Sequence, residues 1–185
     1  MSNEQFLARW KATGMLEAGY VDNPADSGGE TNHGITVAVA RAYGYTGAMK
    51  DLPLTTATQI AKSKYWDTML LDDIGAISGS LAGKIFDLGF LSGVGEAGLC
   101  LQRALNLFAR PDQIPTAYPI VVEDGNVGKM TLYSFTQYMK LRGTAGEIVM
   151  LKCLNDQEGV FFMNLCRSQP KDSEFVFGWY QNRIQ

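Results

Sequence analysis

The sequence is 185 residues long, enough for one domain, or one with a small extension, at roughly 150 residues per domain. Apolar residues make up 46% of it and charged residues 19%, which excludes a disordered tail, a collagen-like fibre and a highly charged coiled coil. Lys and Arg total 16 against 19 Asp and Glu, a net charge of -3, so no overall field exists to hold nucleic acid.

Taken in chain order, most of the sequence reads as helix. Phe6, Leu7 and Trp10 share one helical face, and Gly14 and Gly19 bracket the end of that segment. Residues 22–36 hold Pro24, Gly28, Gly29 and Gly34 among polar residues, which suits turns and a short β-hairpin. Thr56 and Gln59 have capping-box spacing ahead of Ile60, Tyr65 and Trp66, so a helix is expected to start there. Over 80–91, Leu81, Ile85, Phe86 and Leu88 make a helix apolar nearly all round, hence a buried one. Leu99, Leu101, Leu105 and Phe108 form the next. A loop over 111–128 with Pro111, Pro115 and Pro119 follows, then helices over 131–142, 145–166 and 174–184. Tyr65, Trp66 and Phe86 read as core rather than as sugar platforms. Asp124-Gly125 reads as a turn, and Thr131 is placed to cap the helix after it.

Three cysteines, Cys100, Cys153 and Cys166, lie among apolar neighbours and read as reduced thiols from a reducing compartment. The opening Met-Ser-Asn-Glu-Gln has no signal-peptide pattern, and the apolar stretch 81–95 is broken by Lys84 and Asp87. The expectation is a protein made in the cytoplasm, without stable membrane insertion.

Chemistry concentrates in residues 16–36. Glu17 is expected at the C-terminal end of a helix, where the dipole disfavours a second negative charge and Met15, Leu16 and Tyr20 can desolvate it. Both effects raise a carboxyl pKa, as a general acid near neutral pH requires. Asp22, Asp26 and Glu30 follow in a more polar loop and stay ionised. One protonated and one ionised carboxyl across a cleft suit glycoside hydrolysis. Asp22 and Asp26 also suit plain turn-stabilising roles, and the residue pattern alone leaves both open.

The string Glu17-Ala-Gly-Tyr-Val-Asp-Asn-Pro-Ala-Asp-Ser-Gly-Gly-Glu-Thr-Asn-His-Gly-Ile-Thr closely resembles the opening signature of glycoside hydrolase family 108, the phage and bacterial N-acetylmuramidases. The similarity continues through Tyr65-Trp66-Asp67, Phe86-Asp87 and Leu101-Gln102-Arg103-Ala104-Leu105. Asp124-Gly125-Asn126-Val127-Gly128, Thr131, Gly178-Trp179 and Asn182-Arg183 resemble the family's C-terminal peptidoglycan-associated region. Glu17, Asp26 and Thr31 also have nearly the spacing of the T-even phage lysozymes, with the last gap one residue short.

The resemblance implies a mainly α, lysozyme-like α+β fold with a small β-hairpin beside the active-site cleft. It implies a catalytic region over 1–95 and a helical region over 96–185 packed on it as one unit. Glu17 becomes the acid that protonates the glycosidic oxygen. Asp26 stabilises the sugar cation or orients water, and Thr31 helps hold that water. Beside the resemblance, Tyr20 flanks Glu17 with an aromatic face suited to a sugar ring, and Asn32 and His33 are candidate substrate contacts, His33 as cleft wall or contact rather than proton carrier. Ala18 stands where the family usually has Gly, a cost if the backbone there needed positive φ, with Gly19 left to make the turn.

His33 is the sole histidine, with no Cys beside it for a zinc site, and Ser27 and Ser92 lack a nucleophile-elbow context. No metal or organic cofactor is expected. The implied reaction is cleavage of the β-1,4 bond between N-acetylmuramic acid and N-acetylglucosamine in bacterial peptidoglycan. The implied role is a monomeric endolysin that reaches the wall with a holin-like partner. The rival expectations are a lytic transglycosylase and a non-enzymatic wall-binding or virion structural protein.

Overall fold

The computed structural model describes residues 2–14, 18–22, 29–109 and 117–184. Glu17 and Asp26 lie outside the described residues. The chain divides into two units, Met1–Thr68 and Met69–Gln185.

In the first unit, α1 (Ser2–Ala12) buries Phe6 and Trp10 completely, one helical turn apart. Trp10 Nε1 donates to Thr58 Oγ1 at 3.3 Å, and the Phe6 ring meets Trp66 edge-on at 5.6 Å. Leu7, expected on the same face, is 43% exposed, because the contact stripe is the narrow i, i+4 row. α1 stops at Gly14, whose φ of 73° an L side chain resists. Gly19 and Ala18 are not in the left-handed region, so Gly14 makes the turn expected of Gly19, and Ala18 carries no such penalty.

Strands β1 (Thr31–Asn32) and β2 (Ile35–Thr36) pair antiparallel, Thr31 with Thr36 and Asn32 with Ile35. Thr36 then caps α2 (Val37–Tyr43) by accepting from Val39 N, and Gly44 closes that helix at φ 103°. The Thr36 and Gly44 pair was the sequence signal for a helix that the apolar periodicity did not reveal.

α3 (Leu54–Ala61) starts two residues before Thr56 and has no side-chain cap. Ala57 N bonds to Pro53 O, so the rigid Pro53 rather than a capping box sets the start. A π-helical turn, Lys62–Asp67, continues it and buries Tyr65 and Trp66.

The regular elements of the second unit are all helical among its described residues. It contains α4 (Leu71–Ile77), α5 (Gly79–Ser92), α6 (Val94–Phe108), α7 (Lys129–Ser168) and α8 (Ser173–Arg183). Ser78 Oγ accepts from Leu81 N to start α5, which buries Leu81, Ile85, Phe86 and Leu88 as its pattern predicts. Lys84, on the same helix, is buried too. Its ammonium meets Glu158 of α7 and donates to the Arg183 carbonyl at the end of α8. α7 is broken at Gly143 (φ 54°, ψ -144°), between the two helices read from the sequence.

The Asp124-Gly125 turn seats directly on α6. A Cβ at Gly98 would come within 2.0 Å of the Gly125 carbonyl. Gln102, buried in α6, donates to Asp124 Oδ1 at 2.9 Å and to Asn126 O at 3.0 Å, and accepts from Gly125 N. Donation from the Gln102 amide, then from the Asn126 backbone N–H, holds the Asp124 carboxyl below the usual carboxylate range. Thr131 does not cap α7. That helix begins at Lys129 without a side-chain cap, and Thr131 is buried against Asn126 and Gln102. Cys100, Cys153 and Cys166 are free, and burial pushes the Cys100 thiol up to about 12. No helix of the described residues is long and apolar enough to cross a membrane.

Candidate active site

Among the predicted site residues, Tyr20, Thr31, Asn32 and His33 are described, and one small sheet gathers them. Val21 bridges Thr31 antiparallel, with N–H to O distances of 2.8 Å in both directions. The segment that follows Glu17 therefore runs beside β1. Across this bridge the Tyr20 hydroxyl donates to Glu30 Oε1 at 2.7 Å. Donation to a carboxylate, then partial burial, pushes the phenol up to about 12, so it remains a donor throughout the neutral range. Tyr20 is 40% exposed, which leaves ring surface for a sugar. Glu30, one of the three loop carboxylates read from the sequence, is thereby oriented by Tyr20. Its bond to Tyr20 depends on the Val21–Thr31 register, which no local pattern announces.

Thr31 Oγ1 donates to the Gly29 carbonyl at 3.1 Å. Its proton is thus committed and its lone pairs can accept. Asn32 is 4% exposed, and its amide nitrogen donates to the Met49 carbonyl at 2.8 Å and to Lys50 O at 3.3 Å. That side chain ties the hairpin to the 3₁₀ turn Met49–Asp51.

His33 occupies the hairpin tip. It and Gly34 have φ of 51° and 71°, the two positive values that a two-residue type I′ turn demands. This backbone role explains a His-Gly pair where Asn-Gly is the usual solution. The His33 Nδ1 atom is buried and has no hydrogen-bond partner among the described residues. No group of three or more His, Cys, Asp or Glu is placed to hold a metal ion among the described residues.

The arrangement suits acid–base work on a neutral substrate: a rigid hairpin, an aromatic face, an oriented carboxylate at Glu30 and a hydroxyl acceptor at Thr31. Residues 10–93 match the family model described as Glycosyl hydrolase 108, and residues 96–184 match that described as Predicted Peptidoglycan domain. No curated protein matches the sequence. Among solved structures, SagA of Brucella abortus is similar at 26% identity and a TM-score of 0.68, over 94% of this chain and 88% of that one.

Proposed function

Because residues 10–93 belong to the glycosyl hydrolase 108 family and residues 96–184 to the predicted peptidoglycan domain family, we propose that this chain is an N-acetylmuramidase. Glycoside hydrolysis of peptidoglycan follows from the family. The bond, β-1,4 between N-acetylmuramic acid and N-acetylglucosamine, and the residue roles are the finer reading.

Glu17 donates its proton to the glycosidic oxygen as the bond to C1 breaks. The Asp26 carboxylate faces the positive charge that develops on the ring. With the Thr31 proton committed to Gly29, a water at Thr31 must donate to its oxygen. A second donation from that water to Asp26 turns its lone pair toward C1. Water adds there, and its proton passes to a carboxylate of the site. Tyr20 offers its ring to the sugar, while the hairpin that Asn32 anchors presents His33 beside it. The observation that supports this reading most directly is the Val21–Thr31 bridge, which aligns the segment after Glu17 with Thr31. The biological setting we infer is that of an endolysin, acting once a holin-like partner has opened the membrane; co-expression with and without a holin tests that setting.

Digestion of purified peptidoglycan, with mass spectrometry of the new chain ends, tests the reaction. Reducing N-acetylmuramic acid ends are expected. Anhydro ends would make it a lytic transglycosylase, and reducing N-acetylglucosamine ends a glucosaminidase.

A further inference from the structure

The second unit carries a groove that the glycosidase chemistry does not use. It lies between α6 and α7 and has a volume of about 480 Å³, within the range of ligand pockets. Asp156, Val160 and Asn164 recur every fourth residue, so they form one stripe along α7, with Phe161 beside it. Glu96 and Arg103 face them from α6.

The charged groups of this groove are only partly engaged. Arg103 donates to Glu96 Oε1 at 3.2 Å and lies 4.0 Å from Glu123 Oε2. A guanidinium has five N–H donors, so most of its capacity is left for a ligand. The Asp156 carboxylate and the Asn164 amide make no hydrogen bond to any described residue. Two carboxylates and one guanidinium thus line a groove with an apolar flank at Val160 and Phe161.

That set complements a ligand carrying an ammonium, a carboxylate and small apolar side chains. A neutral glycan strand has neither charge, whereas the stem peptide of peptidoglycan has both. We propose that the α6/α7 groove binds this stem peptide, its ammonium at Asp156 and Glu96 and its carboxylate at Arg103. The proposal rests on reading residues 96–184 as a peptidoglycan-associated region.

The test uses the full chain carrying Glu17→Gln, so that no ligand is cleaved. A disaccharide–tetrapeptide with a free diamino-acid amine is titrated and followed by backbone amide NMR, against peptide-free chitotetraose. The peptide ligand should shift amides flanking the groove, and chitotetraose should leave those amides unmoved. Arg103→Gln and Asp156→Asn should each weaken peptide binding by about tenfold, the scale of one charge-assisted contact. Both side chains lie at the surface, so the melting temperature should hold. Acetylation of the ligand amine should weaken binding equally. Chitotetraose shifting the same amides, variants binding like the parent, or no shift at millimolar peptide would each overturn the proposal. Wall hydrolysis by the unsubstituted chain is scored separately: lysis without groove binding sinks only this inference, and groove binding without lysis sinks only the muramidase reading.

Discussion

Glu17 is assigned the proton transfer, and Glu17→Gln keeps its volume and polarity while removing the acid. Muropeptide release should fall by ~10²–10⁴-fold with circular dichroism unchanged. Near wild-type release from a folded Gln variant would end that assignment. The two aspartates separate by the same logic. Asp22 is exposed, and residues 23–28, which its expected turn-stabilising role would engage, lie outside the described residues. Asp22→Ala should mostly lower stability, by about 0.5–2 kcal/mol on the scale of a lost cap, and keep its turnover. Asp26→Ala should lose ~10²-fold or more in turnover with its melting temperature held, if its charge acts on the transition state. The opposite pattern would exchange the two roles.

At the scale of elements, the hairpin and the buried ion pair make opposite demands. The type I′ turn requires positive φ at His33 and Gly34, so Gly34→Ala should cost about 1–2 kcal/mol in urea unfolding. His33→Asn should be neutral or stabilising, because Asn suits that turn. A large destabilisation by His33→Asn would mean that the imidazole, rather than the turn, holds the hairpin. Lys84 and Glu158 are bound to one another inside the second unit. Burial pushes the Glu158 carboxyl up, and the hydrogen bond and charge of Lys84 oppose it without reversing it. Such a carboxyl supports the fold most when protonated, and that contribution fades as pH rises through its folded pKa. Lys84→Met should cost about 3–5 kcal/mol, because it strands the Glu158 charge and frees the Arg183 carbonyl at the end of α8. Lys84→Met with Glu158→Leu should recover much of that loss. Thermal melts in which the double variant is no better than the single would refute the account.

For the whole molecule, one chain joins a region that matches the glycosyl hydrolase 108 model to one that matches the predicted peptidoglycan domain model. A wall-binding site tethered to a catalytic one raises the local concentration of substrate without touching the chemistry. Arg103→Gln should therefore raise KM on intact sacculi more than it lowers kcat. A fall confined to kcat would show that the α6/α7 groove acts on the reaction itself.

Much of the helical content was legible before folding, because Leu81, Ile85, Phe86 and Leu88 state a buried helix by composition alone and Gly143 breaks the long one where its pattern pauses. The opening string also carried the family, since its glycines and carboxylates are local in sequence. Legibility failed where partners come from far along the chain. Pro53 rather than Thr56 starts α3, Gln102 draws the Asp124-Gly125 turn onto α6, and Lys84 finds its carboxylate 74 residues away. The Tyr20–Glu30 bond arises from a strand register, and His33 owes its backbone to a turn that only the pairing of Thr31 with Thr36 defines. Local propensity and spacing set which segments become helices and which residues are chemically able. Tertiary packing decides which of those groups meet, because a hydrogen bond or an ion pair requires a partner within a few ångströms, and sequence distance does not encode it.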